Sequence, residues 1–291
     1  MIIAVVAIAL YVVLLVALVR FSLYPFRTPV FFSAGAMGLS QTDVSIATFD
    51  GLKLSAWWVP SVVPNSKKTV ICCHGYMMNR SELSPVAFLL AKRGYNCLLI
   101  DFPAHGWSPK RKCGLGWTER HDVLAAIDYV KETVPGGEIV LYGSSMGAAA
   151  ASFAMGVRPD GVRALVLDSA YDCLNDAILG WWHFLGGKWL KAALWPTLPI
   201  SALVLGVNPN HVSVSKSLAM AQLPTLIIHG ERDRLAEPQD ARNNATALGD
   251  LAQIAWMPKS NHSEGRWLYP DLYYEALFGF LDSLEPTKPN S

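Results

Sequence analysis

Charge is scarce in this sequence. Charged residues make up 16% of its 291 positions, against about a quarter in an ordinary soluble domain. The two signs nearly cancel, 24 Lys+Arg against 23 Asp+Glu, so no bulk positive field attracts nucleic acid. Cysteine is too sparse for a disulfide scaffold, with five in the whole chain. Cys72 and Cys73 are adjacent in an apolar run that reads as a strand. Strand neighbours point to opposite faces, so the two cannot pair without strain, and free buried thiols are expected. There is no CxxC and no Cys/His cluster, so no metal site is expected. No internal repeat or low-complexity tract appears. Apolar residues are abundant instead, at 52% with a mean hydropathy of +0.28, which excludes disorder.

Much of that excess is local. Residues 2–19 carry no charge, and only Tyr11 brings a polar atom. As a helix the run is about 27 Å long, close to the hydrocarbon thickness of a bilayer. Arg20 ends it, and Phe21, Tyr24, Phe26 and Arg27 follow as an interfacial belt would. A secretory signal peptide needs a basic start, a shorter apolar core and a small-residue cleavage site. These are missing, so residues 1–27 are expected to be a retained single-pass anchor. Arg20 and Arg27 on its C-terminal side place the bulk of the chain in the cytoplasm, and free cysteines agree. Outside residues 1–26 the hydrophobic share falls to about 48% while charge stays near 17%, against a usual apolar share of about 45–50% and a charged share of about a quarter.

Residues 28–42 read as a linker. Asp43–Phe49 and Leu52–Val59 then flank Asp50-Gly51 as a hairpin. Apolar strand runs follow at Thr69–Cys73, Cys97–Ile100, Ile139–Tyr142, Ala164–Leu167, Thr225–Ile228 and Gln253–Met257. Helical patterns lie at Ser81–Arg93, Thr118–Lys131, Ala148–Met155, Pro238–Leu248 and Asp271–Leu284. Continuous apolar strands alternating with helices predict an α/β fold, a mostly parallel sheet covered on both faces. Its site should lie at the carboxyl ends of the strands. About fifty residues, roughly 170–222, break this rhythm, too long a stretch for a structureless loop. They hold Trp181, Trp182, Trp189 and Trp195 with several Leu, and read as a helical cap. The aromatics suit an apolar substrate or a membrane surface; equally, they can pack the cap onto the main domain.

The chemistry concentrates at strand ends. Gly143-Ser144-Ser145-Met146-Gly147 is a G-x-S-x-G turn between a strand and an alanine-rich helix, which puts a serine nucleophile on a sharp turn before a helix N-terminus. A serine hydroxyl needs a base. Enzymes with this turn take the acid next in the chain and the histidine after the last strand, which selects His262 among seven His. Asp233, after Leu226–Gly230, is the acid that orients it. Asp168, at the end of an earlier strand, is the rival acid and is expected to play a structural part. Glu231 is read as a solvated charge and His74 as a loop-packing histidine. The oxyanion needs two preorganised N–H donors, here the backbones of Met146 and Tyr76. This chemistry requires no metal or cofactor.

These motifs, with His74-Gly75, Asp101-Phe102-Pro103-Ala104-His105-Gly106-Trp107-Ser108, His229-Gly230-Glu231-Arg232-Asp233 and Asn261-His262, resemble the α/β-hydrolase superfamily, in its serine aminopeptidase-like and monoacylglycerol lipase-like branch. The plan of one N-terminal span before the domain resembles membrane-anchored α/β-hydrolase-domain proteins. The resemblance covers about residues 43–284 and leaves 285–291 as a tail. Ala104 departs from it, since the family often has Gly there, and the oxyanion loop has a single Gly75. The resemblance implies a serine hydrolase acting on an acyl ester or thioester, with a lipid-like substrate favoured and the bilayer as partner. A serine peptidase or aminopeptidase is the family alternative, although no acidic cluster suited to an α-amine is evident. A non-enzymatic membrane-tethered module is the alternative outside catalysis. A haloalkane dehalogenase is excluded, because it needs Asp where Ser145 stands.

Overall fold

The computed structural model describes residues 1–284; the tail read at 285–291 lies outside them. Eight strands form one sheet: β1 (Thr42–Ala47), β2 (Lys53–Val59), β3 (Lys68–Cys73), β4 (Asn96–Ile100), β5 (Glu138–Ser144), β6 (Ala164–Asp168), β7 (Thr225–Gly230) and β8 (Ala252–Met257). Their order is β1-β2-β4-β3-β5-β6-β7-β8, with β2 antiparallel to both neighbours and β3 to β8 parallel. Gly51 turns the opening hairpin at φ +80°, a conformation that favours glycine. The sheet is therefore mixed only at its first edge, as an opening hairpin followed by βα units dictates.

Helices α1 (Ile2–Leu23), α2 (Ser84–Lys92), α3 (Arg120–Thr133), α4 (Met146–Val157), α5 (Leu174–Ala193), α6 (Thr197–Leu205), α7 (Val214–Ala221), α8 (Pro238–Leu248), α9 (Gly265–Leu268) and α10 (Pro270–Ser283) complete the fold. The two faces of the sheet build two cores by strand alternation. Ile71, Cys73, Leu98 and Leu141 face α3 and α4, while Val70, Cys72, Leu99 and Val140 face α2 and α10. Cys72 and Cys73 thus sit in different cores. All five cysteines are free, four of them buried and Cys173 half-buried.

The stretch read as a cap divides. α5 is broken at Gly186-Gly187, where Gly187 takes φ +67°, and with α6 it forms a helical flap over the sheet end. α7 packs on α4 and α8 instead, with Val214 and Leu218 in the main core. Trp182 is buried, with its Nε1–H donating to Thr197 Oγ1 at 3.0 Å. Trp189, Trp195, Phe184, Leu185 and Leu203 are exposed. The cap aromatics therefore divide between one packed inside and several left exposed.

α1 is long and apolar enough to cross a membrane. It also belongs to the body of the molecule. Leu15, Val19 and Leu23, one stripe at helical spacing, are buried, and the helix packs along α6. Tyr11 Oη donates to the Ala193 carbonyl at the end of α5. Tyr76 Oη donates to Ser22 O at 2.9 Å, and Cys113 N to Leu23 O at 2.8 Å. The segment read as a linker lies against the domain: Thr28 Oγ1 donates to Met77 O, Asn79 Nδ2 donates to Thr28 O, and Ala34 is fully buried. Just before it, the Arg27 guanidinium donates to the carbonyls of Gly106 and Ser108.

Candidate active site

β5 delivers the chain to Ser145 at the centre of the sheet. Ser145 adopts φ 50°, ψ −113°, a strained backbone for a residue with a Cβ. The turn closes only because its flanks are glycine. A Cβ on Gly143 would lie 2.3 Å from Ala148 N, and one on Gly147 would lie 2.1 Å from Cys73 O. The Ser145 N–H donates to Asp168 O at 2.7 Å, which ties the turn to the end of β6. α4 starts at Met146, where the first N–H groups have no acceptor within the helix.

Ser145, His262 and Asp233 come together from three strand ends. His262 Nε2 lies 2.8 Å from Ser145 Oγ, and His262 Nδ1 lies 2.7 Å from Asp233 Oδ2. The Asp233 side chain is fully buried, and its Oδ1 accepts the N–H groups of Leu235 (2.9 Å) and Ala236 (3.0 Å). A carboxylate that accepts from Nδ1–H sets the ring tautomer and leaves Nε2 free to accept from the serine. The two carrier loops are stitched to each other, with Arg232 N donating to Ser260 O and Arg234 N to Asn261 Oδ1. His229, 3.7 Å from the same carboxylate, donates from Nε2 to Ala236 O, and burial holds its imidazole below the usual range. Neutral His229 therefore shapes the Asp233 turn without neutralising its charge.

The other residues weighed in the sequence take supporting places. Asp168 accepts from Tyr273 Oη at 2.7 Å and from Ser169 Oγ at 3.1 Å, while His262 pairs with Asp233. Glu231 is exposed. His74 Nδ1 bonds Gly75 O at 2.7 Å, while its Nε2 accepts from Phe102 N at 3.0 Å. Tyr76 and Met146 both border a small space of about 20 Å³ over Ser145 and His262. The two residues expected to supply the oxyanion donors therefore line the space over the nucleophile.

One cluster had no signal in the sequence. Glu82 is buried under the oxyanion loop, where its Oε2 accepts from Gly75 N at 2.7 Å and its Oε1 from Ser144 Oγ at 2.7 Å. The Arg266 guanidinium, also buried, pairs with the same carboxylate. Burial by itself would raise the Glu82 carboxyl, but Arg266 and these donors hold it below its ordinary range. Glu82 and Arg266 are 184 residues apart, so no motif spacing reveals them. Together they join the oxyanion loop, the residue before the nucleophile and the segment after His262. Among the described residues no cluster of three or more His, Cys, Asp or Glu is placed to hold a metal.

Two larger spaces lie near the site, one of them bordered by the nucleophile. An open cleft of about 900 Å³ contains Ser145, His262, Ser263 and Trp267. An apolar cavity of about 320 Å³ lies between α1 and the cap. The rings of Tyr76 and Trp181, with centroids 5.5 Å apart, stand between them.

Comparison with known proteins agrees with this architecture. Residues 68–197 match the family described as alpha/beta hydrolase fold. An uncharacterised protein of Mycobacterium tuberculosis is 28% identical over 86% of this chain and 82% of its own length. The alpha/beta hydrolase domain-containing protein WAV2 of Arabidopsis thaliana is 22% identical over 87% of this chain and 82% of its own. An esterase of Pyrococcus furiosus superposes with a TM-score of 0.74 at 25% identity, covering 90% of this chain and 98% of the esterase. An esterase of Exiguobacterium antarcticum shares the fold, with a TM-score of 0.63 at 16% identity.

Proposed function

Because this chain has the alpha/beta hydrolase fold, we propose that it is a membrane-anchored serine hydrolase that cleaves an acyl ester or thioester, with a lipid-like substrate. The observation that carries this reading is the unbroken chain from Ser145 Oγ through His262 to Asp233, at 2.8 and 2.7 Å. Ser145 Oγ attacks the acyl carbonyl while His262 Nε2 takes its proton. The N–H groups of Met146 and Tyr76 hold the oxyanion. His262 returns the proton to the leaving group, then activates water, which releases the acid and restores Ser145. Asp233 keeps the imidazole oriented and stabilises its charged form.

The Ser22 and Leu23 carbonyls accept hydrogen bonds from Tyr76 and Cys113 of the catalytic domain. Those bonds, and the burial of Val19 and Leu23, support an anchor that stays with the enzyme rather than a signal segment that is removed. Arg20 and Arg27 on the catalytic side support a cytoplasmic active site.

Ser145→Ala should reduce hydrolysis of a short p-nitrophenyl ester by about a thousandfold or more while leaving the circular dichroism spectrum unchanged. A fluorophosphonate probe should label the parent protein and not the variant. A variant that keeps more than a few per cent of the activity overturns the assignment. A parent protein that fails to label overturns it in favour of a tethered, non-catalytic module.

A further inference from the structure

The cavity between α1 and the cap has one wall made of the helix that crosses the bilayer in the reading above. Leu18, Val19 and Ser22 of α1 face Trp181, Ser201 and Leu205 of the cap across it. Three of the polar side chains lining it are engaged with backbone carbonyls. Ser22 Oγ donates to Leu18 O, Tyr76 Oη to Ser22 O, and Thr197 Oγ1 to Leu194 O. What remains is a carbon-lined space with room for about ten methylene-sized groups, at about 30 Å³ each.

Two observations connect this space to the chemistry and to the membrane. Tyr76, Leu115 and Trp181 border both the cavity and the small space over Ser145 and His262, so the two are neighbours through a partition of three side chains. The cap also runs alongside α1 from Tyr11, which bonds Ala193, to Leu23. Twelve helical residues rise about 18 Å, somewhat more than half of a hydrocarbon core about 30 Å thick. A cap that follows a spanning helix over this length lies at the depth of one leaflet. Its outer side is built for that depth, since Leu203 and Trp189 are 83% and 80% exposed, with Leu185 and Trp195 beside them. Lys188 carries its ammonium over the Trp189 ring and has a stem long enough to reach the headgroups.

We propose that α1 and the cap together form an acyl-chain site opening sideways into the leaflet. The chain of a fatty acyl ester or thioester enters between α1 and α6, passes Tyr76 and Trp181, and presents its carbonyl to Ser145. The leaving group occupies the open cleft on the other side of the nucleophile. The anchor is thus part of the substrate site as well as a tether. This proposal rests on the serine hydrolase reading.

The test uses the full chain in phosphatidylcholine vesicles, with p-nitrophenyl acetate and p-nitrophenyl decanoate as substrates. Each buried methylene is worth about fourfold in binding, so kcat/KM should favour decanoate by at least about a hundredfold. Leu18→Trp and Ser201→Trp fill the cavity from opposite walls. Each should lower kcat/KM for decanoate by about tenfold or more and leave acetate within about twofold. Leu18→Ala enlarges the cavity and should raise kcat/KM for p-nitrophenyl dodecanoate, added as a third substrate, relative to decanoate. Equal fluorophosphonate labelling of all variants verifies an intact Ser145. A labelled set whose chain-length profile is unchanged, or whose acetate and decanoate activities fall together, overturns the acyl site and leaves the hydrolase reading standing. A parent protein that neither labels nor cleaves acetate overturns the hydrolase reading and this proposal with it.

Discussion

At the scale of single residues, the site depends on charges buried only because they are paired. Glu82 and Arg266 show this most clearly. Removing one partner of a buried pair leaves the other charged and desolvated, which typically costs about 3–5 kcal/mol. Glu82→Gln should therefore lower the urea midpoint by the equivalent of about 3 kcal/mol, Asp168 at 4.0 Å from Arg266 supplying partial compensation. It should also slow catalysis, because Gly75 N–H loses its carboxylate and the oxyanion loop loses its brace. A variant as stable as the parent would show that the pair is dispensable. Ser145, Asp233 and His262 were legible from a short motif, chain order and strand ends. Glu82 was not, because its partners are assigned by the path of the chain.

At the scale of elements, the turn after β4 records a conflict between sequence and backbone. Ala104 carries a Cβ, and it adopts φ +65°. A left-handed conformation costs an L-residue about 1–2 kcal/mol, whereas glycine adds about 0.4–1 kcal/mol of unfolded-state entropy to be lost. Ala104→Gly should therefore be mildly stabilising, by about 0.5 kcal/mol, or about 1–2 °C in Tm. Two residues later the sign reverses. A Cβ on Gly106 would lie 2.1 Å from Asp101 Oδ2, at a carboxylate that accepts from Arg80 N and Trp107 N. Gly106→Ala should lower Tm sharply, and scanning calorimetry of the pair would expose any error in this reading. Strands and helices were legible in the sequence because their periodicities are local. The place of α7 was not, since its apolar face would equally have suited the cap; close approach of Gly156 to Ser217 joins it to α4 instead.

At the scale of the whole molecule, burial shifts four titratable groups outside the site towards their neutral forms, in both directions. Burial lowers His74 and His105 to about 4. Their Nε2 atoms accept from Phe102 N and Met77 N, so protonation would break both bonds. Burial raises Asp122 and Asp240 to about 7, the latter helped by Asp176 and Asp172. The histidines bind more protons when unfolded, so their contribution to stability falls as pH drops from 6.5 towards 4. The aspartates bind more protons when folded, so theirs rises as pH drops from 7 towards 3.8. The two trends oppose, and stability should vary little across pH 4.5–6.5. Asp240→Asn removes one of the two aspartates from that balance. It should stabilise the protein at pH 8, by an amount on the order of 3 kcal/mol, and make no difference near pH 4. Urea unfolding of the two proteins at both pH values measures this; an equal gain at pH 4 and pH 8 would refute it.

The sequence by itself determined the elements, the nucleophile turn and the apolar helix, because each is written in neighbouring residues. Alternation of period two, the Asp-Gly hairpin, the glycines about Ser145 and an uncharged run all act within a few residues of themselves. Tertiary structure alone decided what braces the oxyanion loop, what holds the rival carboxylate, and that the first helix forms the wall of a cavity near the site. Asp168 ends β6, and Asp233 follows the end of β7 by three residues. They part because Tyr273, 105 residues away, takes one, while two backbone N–H groups turn the other towards the histidine. Contacts of that kind follow from close packing between distant segments, and no local pattern carries them.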